Sequence, residues 1–271
     1  MGDINLGRGV KPDADSFGFL TSRLLAADLA LANLESPLAT HPPEDPRRNN
    51  YNLCTSSSST EHLVKWGLDL LSIANNHRFD CGEDGPSHTA SLLTDAGLTP
   101  LGLNIEPVIR HINGVKLAFF AFDDVLTPLD AEAATAAIRK AKEDGALVIV
   151  SLHWGVEYKV APTERQQALA RQLAQAGATL LWGHHPHVLQ RAEWLETEAG
   201  RTLVLYSLGN ALFDQGGLEE VRQSVLVLVT LQRGKITTVE AIPFEIDLRH
   251  SQVLEPEAVT RLSILQQLGL P

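Results

Sequence analysis

Short apolar runs alternate with stretches of helical spacing along almost the whole chain, and five runs end on carboxylate, amide or imidazole residues. These endings are Gly2-Asp3, Asn33-Leu34-Glu35, Asn75-Asn76-His77 with Asp80, His153 with Glu157, and His184-His185-Pro186-His187. The pattern predicts a helix over 16–27, a strand over 29–33 and a long loop over 40–59, where Pro, Asn and Ser crowd together. A capping box, Ser58-Ser-Thr-Glu61, should open a helix through Trp66, followed by a strand over 68–73. A helix over 86–96 stops near Gly97. Asn113-Gly114 joins 108–112 to 115–122 as a hairpin, and Arg233-Gly234 joins 223–231 to 235–246. Between them come a helix over 130–143, a wholly apolar strand over 146–152, and a helix opened by the capping box Thr163-Glu-Arg-Gln166 and ending near Gly177. Strands over 179–182 and 202–208 follow, and Glu255-Pro256 should open a terminal helix. Strand and helix alternate without a repeat or linker, so the expected class is α/β in a single domain over 1–271.

Composition narrows the function. The 271 residues are 44% apolar, enough for a large core, and 22 basic against 33 acidic side chains leave a net charge of −11. That balance argues against a nucleic-acid partner, which needs a basic footprint. An anionic substrate is still allowed, because a bound dication reverses the local field. Cys54 and Cys81 fit no metal-ligand or redox spacing. The default is two ordinary thiols, with a disulfide left open. No run approaches the roughly 20 apolar residues needed to span a bilayer. The N-terminus also lacks a basic-then-apolar signal region. The expectation is a soluble chain with no membrane segment, signal peptide or anchor.

Polar residues that recur at strand ends converge on one sheet edge, which is how an α/β fold assembles a metal site. In His185-Pro-His187 the two imidazoles are two residues apart, so in an extended segment they face the same way. Pro186 suits a strand that has just ended. Asn76 offers an amide oxygen, and His77 can protonate a leaving group with Asp80 to orient it or add a ligand. Asp3 and Glu35 are the anionic members; a carboxylate between two dications about 4 Å apart is electrically sensible, and Glu35 fits that place. Each piece also has a bland alternative, such as turn chemistry for Asn75-Asn76. Their common position after predicted strands favours a metal-dependent hydrolase.

In their order, these residues resemble the CapA-type family linked to capsule poly-γ-glutamate synthesis, within the calcineurin-like metallophosphatases. The matching stretches are Gly2-Asp-Ile-Asn-Leu-Gly-Arg8, Ala32-Asn-Leu-Glu-Ser-Pro-Leu38, Ser72-Ile-Ala-Asn-Asn-His-Arg-Phe-Asp80 with Gly82, His153-Trp-Gly-Val-Glu157, Gly183-His-His-Pro-His-Val-Leu-Gln190 and Ser207-Leu-Gly-Asn-Ala-Leu-Phe-Asp-Gln215. The resemblance implies a four-layer α/β/β/α sandwich of two mixed sheets, lacking the first strand, with two divalent ions (Mn, Mg, Zn or Fe) on one edge. Asp3 and His187 would hold one ion; Asn76, His153 and His185 would hold the other, with Glu35 bridging and His77 as general acid. Arg8, Asn33, Asn75, Glu157, His184 and Asn210 would line the substrate, and Asp214 lies in a family motif without assigned chemistry.

Two departures stand out. Asn5 occupies a place where the superfamily usually has a histidine ligand, which implies a weaker site or a harder ion such as Mn²⁺ or Mg²⁺. No apolar strand precedes Gly2-Asp3, so Asp3 is expected to sit on a fraying terminus. The expected substrate is an anionic polymer or a phosphoester, with Arg8, Arg47, Arg48 and Arg78 as local positive charge. The alternative is a non-catalytic polymer-binding or assembly protein of capsule synthesis that keeps its metals as staples. Relatives of this type are often membrane-associated or extracellular.

Overall fold

A computed structural model describes residues 1–42 and 51–270. Arg47 and Arg48 lie outside the described residues. The first half runs β1 (Asp3–Ile4), α1 (Thr21–Ala26), β2 (Leu31–Leu34), β3 (Leu38–Ala39), β4 (Thr55–Ser56), α2 (Thr60–Lys65), β5 (Leu70–Ser72), α3 (Gly85–Asp95) and β6 (Thr99–Leu101). The hairpin β7 (Val108–Ile112) and β8 (Val115–Asp123) leads to α4 (Ala131–Glu143), β9 (Leu147–His153), α5 (Glu164–Gln175) and β10 (Ala178–His184). Then come β11 (Ala192–Thr197), β12 (Gly200–Leu205), β13 (Asn210–Leu212), β14 (Gln223–Gln232), β15 (Lys235–Asp247), β16 (Gln252–Leu254) and α6 (Ala258–Leu268).

One sheet, β13-β1-β2-β5-β6, is parallel throughout. The second, β11-β12-β10-β9-β8-β7, is parallel at its centre and antiparallel at both edges. Its outer face carries α4 and α5 over Val148, Val150, Leu152 and Trp154, while Phe119, Leu147 and Ile149 on its inner face meet Leu70 and Leu101 of the first sheet. Ile4, Ala32, Leu34 and Leu71 turn to the far side of the first sheet and pack with Leu24, Leu63 and Leu93 of α1, α2 and α3. These are the four layers α/β/β/α. The β14-β15-β16 sheet adds to one end, with α6 packed against it.

Most local signals act as expected. Thr163 caps α5 in a full capping box with Gln166, and both hairpin turns pair as read, Ile112 with Val115 and Gln232 with Lys235. Elsewhere the boundaries move. Gly18, at φ +40°, breaks the predicted 16–27 helix into a 3₁₀ turn and the shorter α1. Ser56, not Ser58, accepts the capping bond, from the Ser58 amide, and a 3₁₀ turn over Ser57–Ser59 precedes α2. Pro256 lies just before α6 rather than inside it. Strands β3, β4, β6, β11, β13 and β16 were not foreseen, and β4 falls within the predicted 40–59 loop; β6 contains Pro100, and β6 and β11 lie on sheet edges, where alternation is weak.

The first strand, expected to be missing, is present as two residues that hold the interior position of their sheet. Asp3 pairs with Asn33 of β2 on one side and Asn210 of β13 on the other. Asp3 N–H donates to Gly209 O at 3.0 Å, and Asn5 N–H to Leu212 O at 2.8 Å. Asp3 is fully buried, so the expected fraying does not occur. Beside Met1 an apolar cavity of about 450 Å³ opens between the sheets, lined by Leu31, Leu117, Trp182, Leu205 and Val227 among others. The thiol reading is also corrected: Cys54 and Cys81 form a disulfide, their Cα atoms 5.1 Å apart. Among the described residues no helix is long and apolar enough to cross a membrane.

Candidate metal centre

The polar strand ends meet where the carboxyl ends of the parallel strands of the two sheets come together. Asp3 belongs to β1, Glu35 follows β2, Asn75, Asn76 and His77 follow β5, and His153 ends β9. His184 ends β10, and His185 and His187 follow it. Two glycines permit this crowding. A Cβ on Gly2 would lie 1.9 Å from Gly209 O, and one on Gly183 only 2.0 Å from Tyr206 O. After Gly183 the backbone is held at φ +93° at His185 and +58° at His187. Such left-handed non-glycine residues cost roughly 1–3 kcal/mol each and cluster at functional sites.

Glu35 is the centre of the group. It is fully buried, and neither carboxylate oxygen has a hydrogen-bond partner. Its Oε1 lies 3.6 Å from His187 Nε2, 3.8 Å from His77 Nε2 and 3.9 Å from His153 Nε2. Glu35, His185 and His187 can each present one atom within 4.8 Å of the others. Burial, then the charges of Asp3 and Glu157, push the Glu35 carboxyl well above the usual range. The imidazoles respond the opposite way. Burial, then the neighbouring His185, drives His153 well below its ordinary value, and burial with His187 lowers His185 to about 4. Neutral imidazoles with free lone pairs are what a cation needs.

Neighbouring amides set the ring orientations. Asn210 donates to Val221 O (2.9 Å) and Gln215 Oε1 (3.1 Å), so its Oδ1 is left to accept from His187 Nδ1 at 2.9 Å. His187 Nε2 is thereby the lone-pair nitrogen and faces Glu35. His153 Nε2–H donates to Asn76 Oδ1 at 2.7 Å, so the imidazole and the amide oxygen are held side by side. Asn75 is turned inward, donating to Leu34 O (2.9 Å) and accepting from the His77 amide (3.2 Å). Asn33 donates to Asp3 Oδ1 at 2.9 Å. Both amides are buried and tie the framework around the centre. His77 Nδ1 donates to Asp80 Oδ2 at 2.8 Å, aiming Nε2 at Glu35.

Asp3 is placed differently from Glu35. Its oxygens take Asn33 Nδ2, the His185 amide at 3.2 Å and His184 Nδ1 at 3.1 Å, with His187 Nδ1 3.5 Å away. Burial alone would raise its pKa, but the His184 hydrogen bond and the nearby imidazoles outweigh it and hold the carboxyl below its ordinary value. His184 packs edge-on against Trp182 and bonds Asp3, away from the Glu35 oxygens. Asn5 turns from the centre to donate to Asp214 Oδ1 at 3.2 Å. Arg8 pairs with the same carboxylate, and Arg78 stacks over Phe79. Glu157 is exposed at the rim. Tyr158 and Phe213, which flank the His187 ring, were not anticipated; only adjacency to the His153–Glu157 and Asn210–Asp214 stretches pointed to them.

The donor set fits a divalent cation. An unpartnered buried carboxylate, oriented imidazoles and an amide oxygen are the borderline N/O ligands of Zn²⁺, Mn²⁺ or Fe²⁺. Residues 1–215 match the family described as bacterial capsule synthesis protein PGA_cap. The chain belongs to this family. It is 30% identical to the PGA biosynthesis protein CapA of Bacillus subtilis, over 99% of this chain and 76% of that protein. It is 28% identical to the capsule biosynthesis protein CapA of Bacillus anthracis, over 91% of this chain and 66% of that one. The fold is similar to that of a hypothetical protein from Thermus thermophilus (TM-score 0.56, 16% identity, 84% of this chain and 91% of that chain). It is also similar to the sulfate thiohydrolase SoxB, solved in complex with glycerol (TM-score 0.51, 16% identity, 88% and 42%). As a family member with this architecture, the chain has the metallophosphatase-like α/β sandwich expected from its motifs.

Proposed function

We propose that this PGA_cap protein is a metal-dependent hydrolase acting on a phosphoester or amide-like bond in capsule poly-γ-glutamate synthesis. The observation that carries the reading is Glu35. Its carboxylate is buried without a partner, three imidazole nitrogens lie within 3.6–3.9 Å, and one of these belongs to a His–Asp pair. Asn76, His153 and His185 would hold one ion and Asp3 and His187 a second, with Glu35 shared. A bound cation supplies Lewis-acid activation of water and of the scissile centre.

The rest is the work of the protein's own groups. In its imidazolium form His77 carries a proton on each ring nitrogen; Asp80 holds the Nδ1 proton and so orients the ring, and the Nε2 proton is delivered to the departing group, which leaves the ring neutral. Asn210 keeps His187 from swinging its protonated nitrogen inward. Asp3, tied by three donors, anchors the strand end from which the centre is built. An anionic polymer or phosphoester would meet Arg8 and Arg78 at the rim, although Asp214 already offsets much of the Arg8 charge.

Elemental analysis after purification, then phosphatase and phosphodiesterase assays with Mn²⁺, test the reading. Turnover lost in His77→Ala with metal retained supports it; metal bound without turnover on any ester or amide sinks it. The saturated Asp3 carboxylate favours a second reading, an assembly protein in which the ion is a staple. Equal polymer binding by wild type and His77→Ala, without turnover, would select that reading.

A further inference from the structure

The Cys54–Cys81 disulfide lies against the proposed proton donor. It joins the segment entering β4 to the turn that carries His77 and Asp80, across 27 positions of sequence. On the β4 side, Leu53 N–H donates to Asp80 Oδ2 at 2.6 Å, and Asn52 Nδ2 donates to Asp80 O at 2.8 Å. The oxygen that receives Leu53 also receives His77 Nδ1 at 2.8 Å. The Asp80 carboxylate is thus pinned between a backbone amide on one side of the disulfide and the imidazole on the other. Beyond the cysteine, Thr55 ties the segment to the core, with Oγ1 donating to Leu6 O and N–H donating to Pro37 O, each at 2.9 Å. Strand β4 has two residues and, among the described residues, pairs only with the equally short β3.

We propose that the disulfide is a positioning element for the reaction: it keeps Leu53 against Asp80, and Asp80 holds His77 with Nε2 toward Glu35. The inference rests on the hydrolase reading above. Opening the bond releases the 52–54 segment, frees the Asp80 carboxylate to rotate, and lets the His77 ring leave its line to the departing group. Neither cysteine is among the proposed ligands, so metal holding is separate from this contact. Disulfides persist in oxidising compartments and open under thiol reduction, so the clamp is intact only where the protein meets oxidising conditions.

The test compares oxidised wild type, wild type reduced with a dithiol, and Cys54→Ser/Cys81→Ser, all loaded with Mn²⁺. General acid catalysis matters most for poor leaving groups. Hydrolysis of an alkyl phosphoester should fall about ten- to a hundredfold on opening the bond, while an activated nitrophenyl ester changes little and metal content is unchanged. A merely structural bond would lower both substrates together or release metal, and that result overturns the proposal.

A readout independent of turnover uses ¹⁵N-histidine NMR on the Zn²⁺-loaded protein. The hydrogen-bonded His77 Nδ1 proton should be seen in the oxidised form and exchange away in the reduced one. If the oxidised protein hydrolyses nothing yet this signal changes, the hydrolase reading fails and the clamp stands. An unchanged signal overturns the clamp. Should the double serine variant not fold, Asp80→Asn keeps the disulfide and should reproduce the same selective loss on alkyl substrates; an even loss on both refutes the link through Asp80.

Discussion

Replacing Glu35 by Gln removes the charge at the heart of the centre while preserving its shape. The wild-type carboxylate is fully buried with two unpartnered oxygens, and leaving a buried polar group unsatisfied costs roughly 1–3 kcal/mol. Without metal, Glu35→Gln should therefore be at least as stable as wild type. With metal the order reverses. A ligand present at 100 times its dissociation constant stabilises the native state by about 2.7 kcal/mol, a rise in melting temperature of roughly 5–10 °C for a domain of this size. Wild type should show that rise with Mn²⁺ or Zn²⁺, and Glu35→Gln should lose most of it. The Glu35 pKa is raised, so metal displaces a proton, and wild-type affinity should climb by up to about tenfold per pH unit below that pKa. Differential scanning fluorimetry with chelator, then with each metal at several pH values, measures both effects. A variant that keeps the full metal-induced shift would refute the reasoning, because the ion would then be bound elsewhere.

The remaining expectations concern stoichiometry, acid stability and packing. Asp3 is already satisfied by protein donors and Asn5 faces Asp214, so metal titration followed by elemental analysis should resolve one tight ion and a second at least about tenfold weaker, since tight sites need free ligands of fixed geometry; two equal sites would contradict this. In the metal-free protein, folded His185 titrates near 4 against 6.5 unfolded. The unfolded chain therefore binds the extra proton between those values, and His185 alone should remove about 3 kcal/mol as pH falls from 6.5 to 4. Denaturant melts across that range test the sign; stability that rises on acidification would refute it. His153 and His187, lowered mainly by burial, act in the same direction. Gly183→Ala should cost about 1–3 kcal/mol or more through overpacking against Tyr206 O and Trp154 Nε1, and should weaken metal binding by moving the histidines that follow; an unchanged melting point would mean the strands can spread.

The residues that carry chemistry were legible because each follows an apolar run whose period marks a buried strand. His153 closes a strand with all seven residues buried, and His185 and His187 follow another. What could not be read are contacts between positions far apart in sequence. Nothing near Asn210 says that its amide will set the proton on His187, 23 residues away, or that Asn5 will reach Asp214 across 209. The Cys54–Cys81 pairing is of the same kind, set by where two loops meet rather than by spacing. The two-residue β1 was the hardest case. A chain-terminal aspartate reads as mobile, yet strands on both sides and donors from Asn33 and His185 bury it completely.

Catalyst and staple differ in what they require beyond the ligands. A structural ion is best closed on all sides by protein atoms, whereas a catalytic one needs an open position and a group placed to move a proton. The Glu35, His153 and His187 side chains are buried almost completely, but the side chains of His77 and Asp80 are 17% and 21% exposed. The centre is thus closed from the sheet side, and the His–Asp pair lies on its solvent-facing side. A staple has no use for an imidazole whose Nδ1 is fixed by a carboxylate and whose Nε2 points at the shared ligand from the open side. Nor does it need that carboxylate held by Leu53 and flanked by a disulfide. The layout favours catalysis, and it does so on the one pair whose removal leaves the proposed ligands untouched, so His77→Ala separates the two roles without dismantling the site.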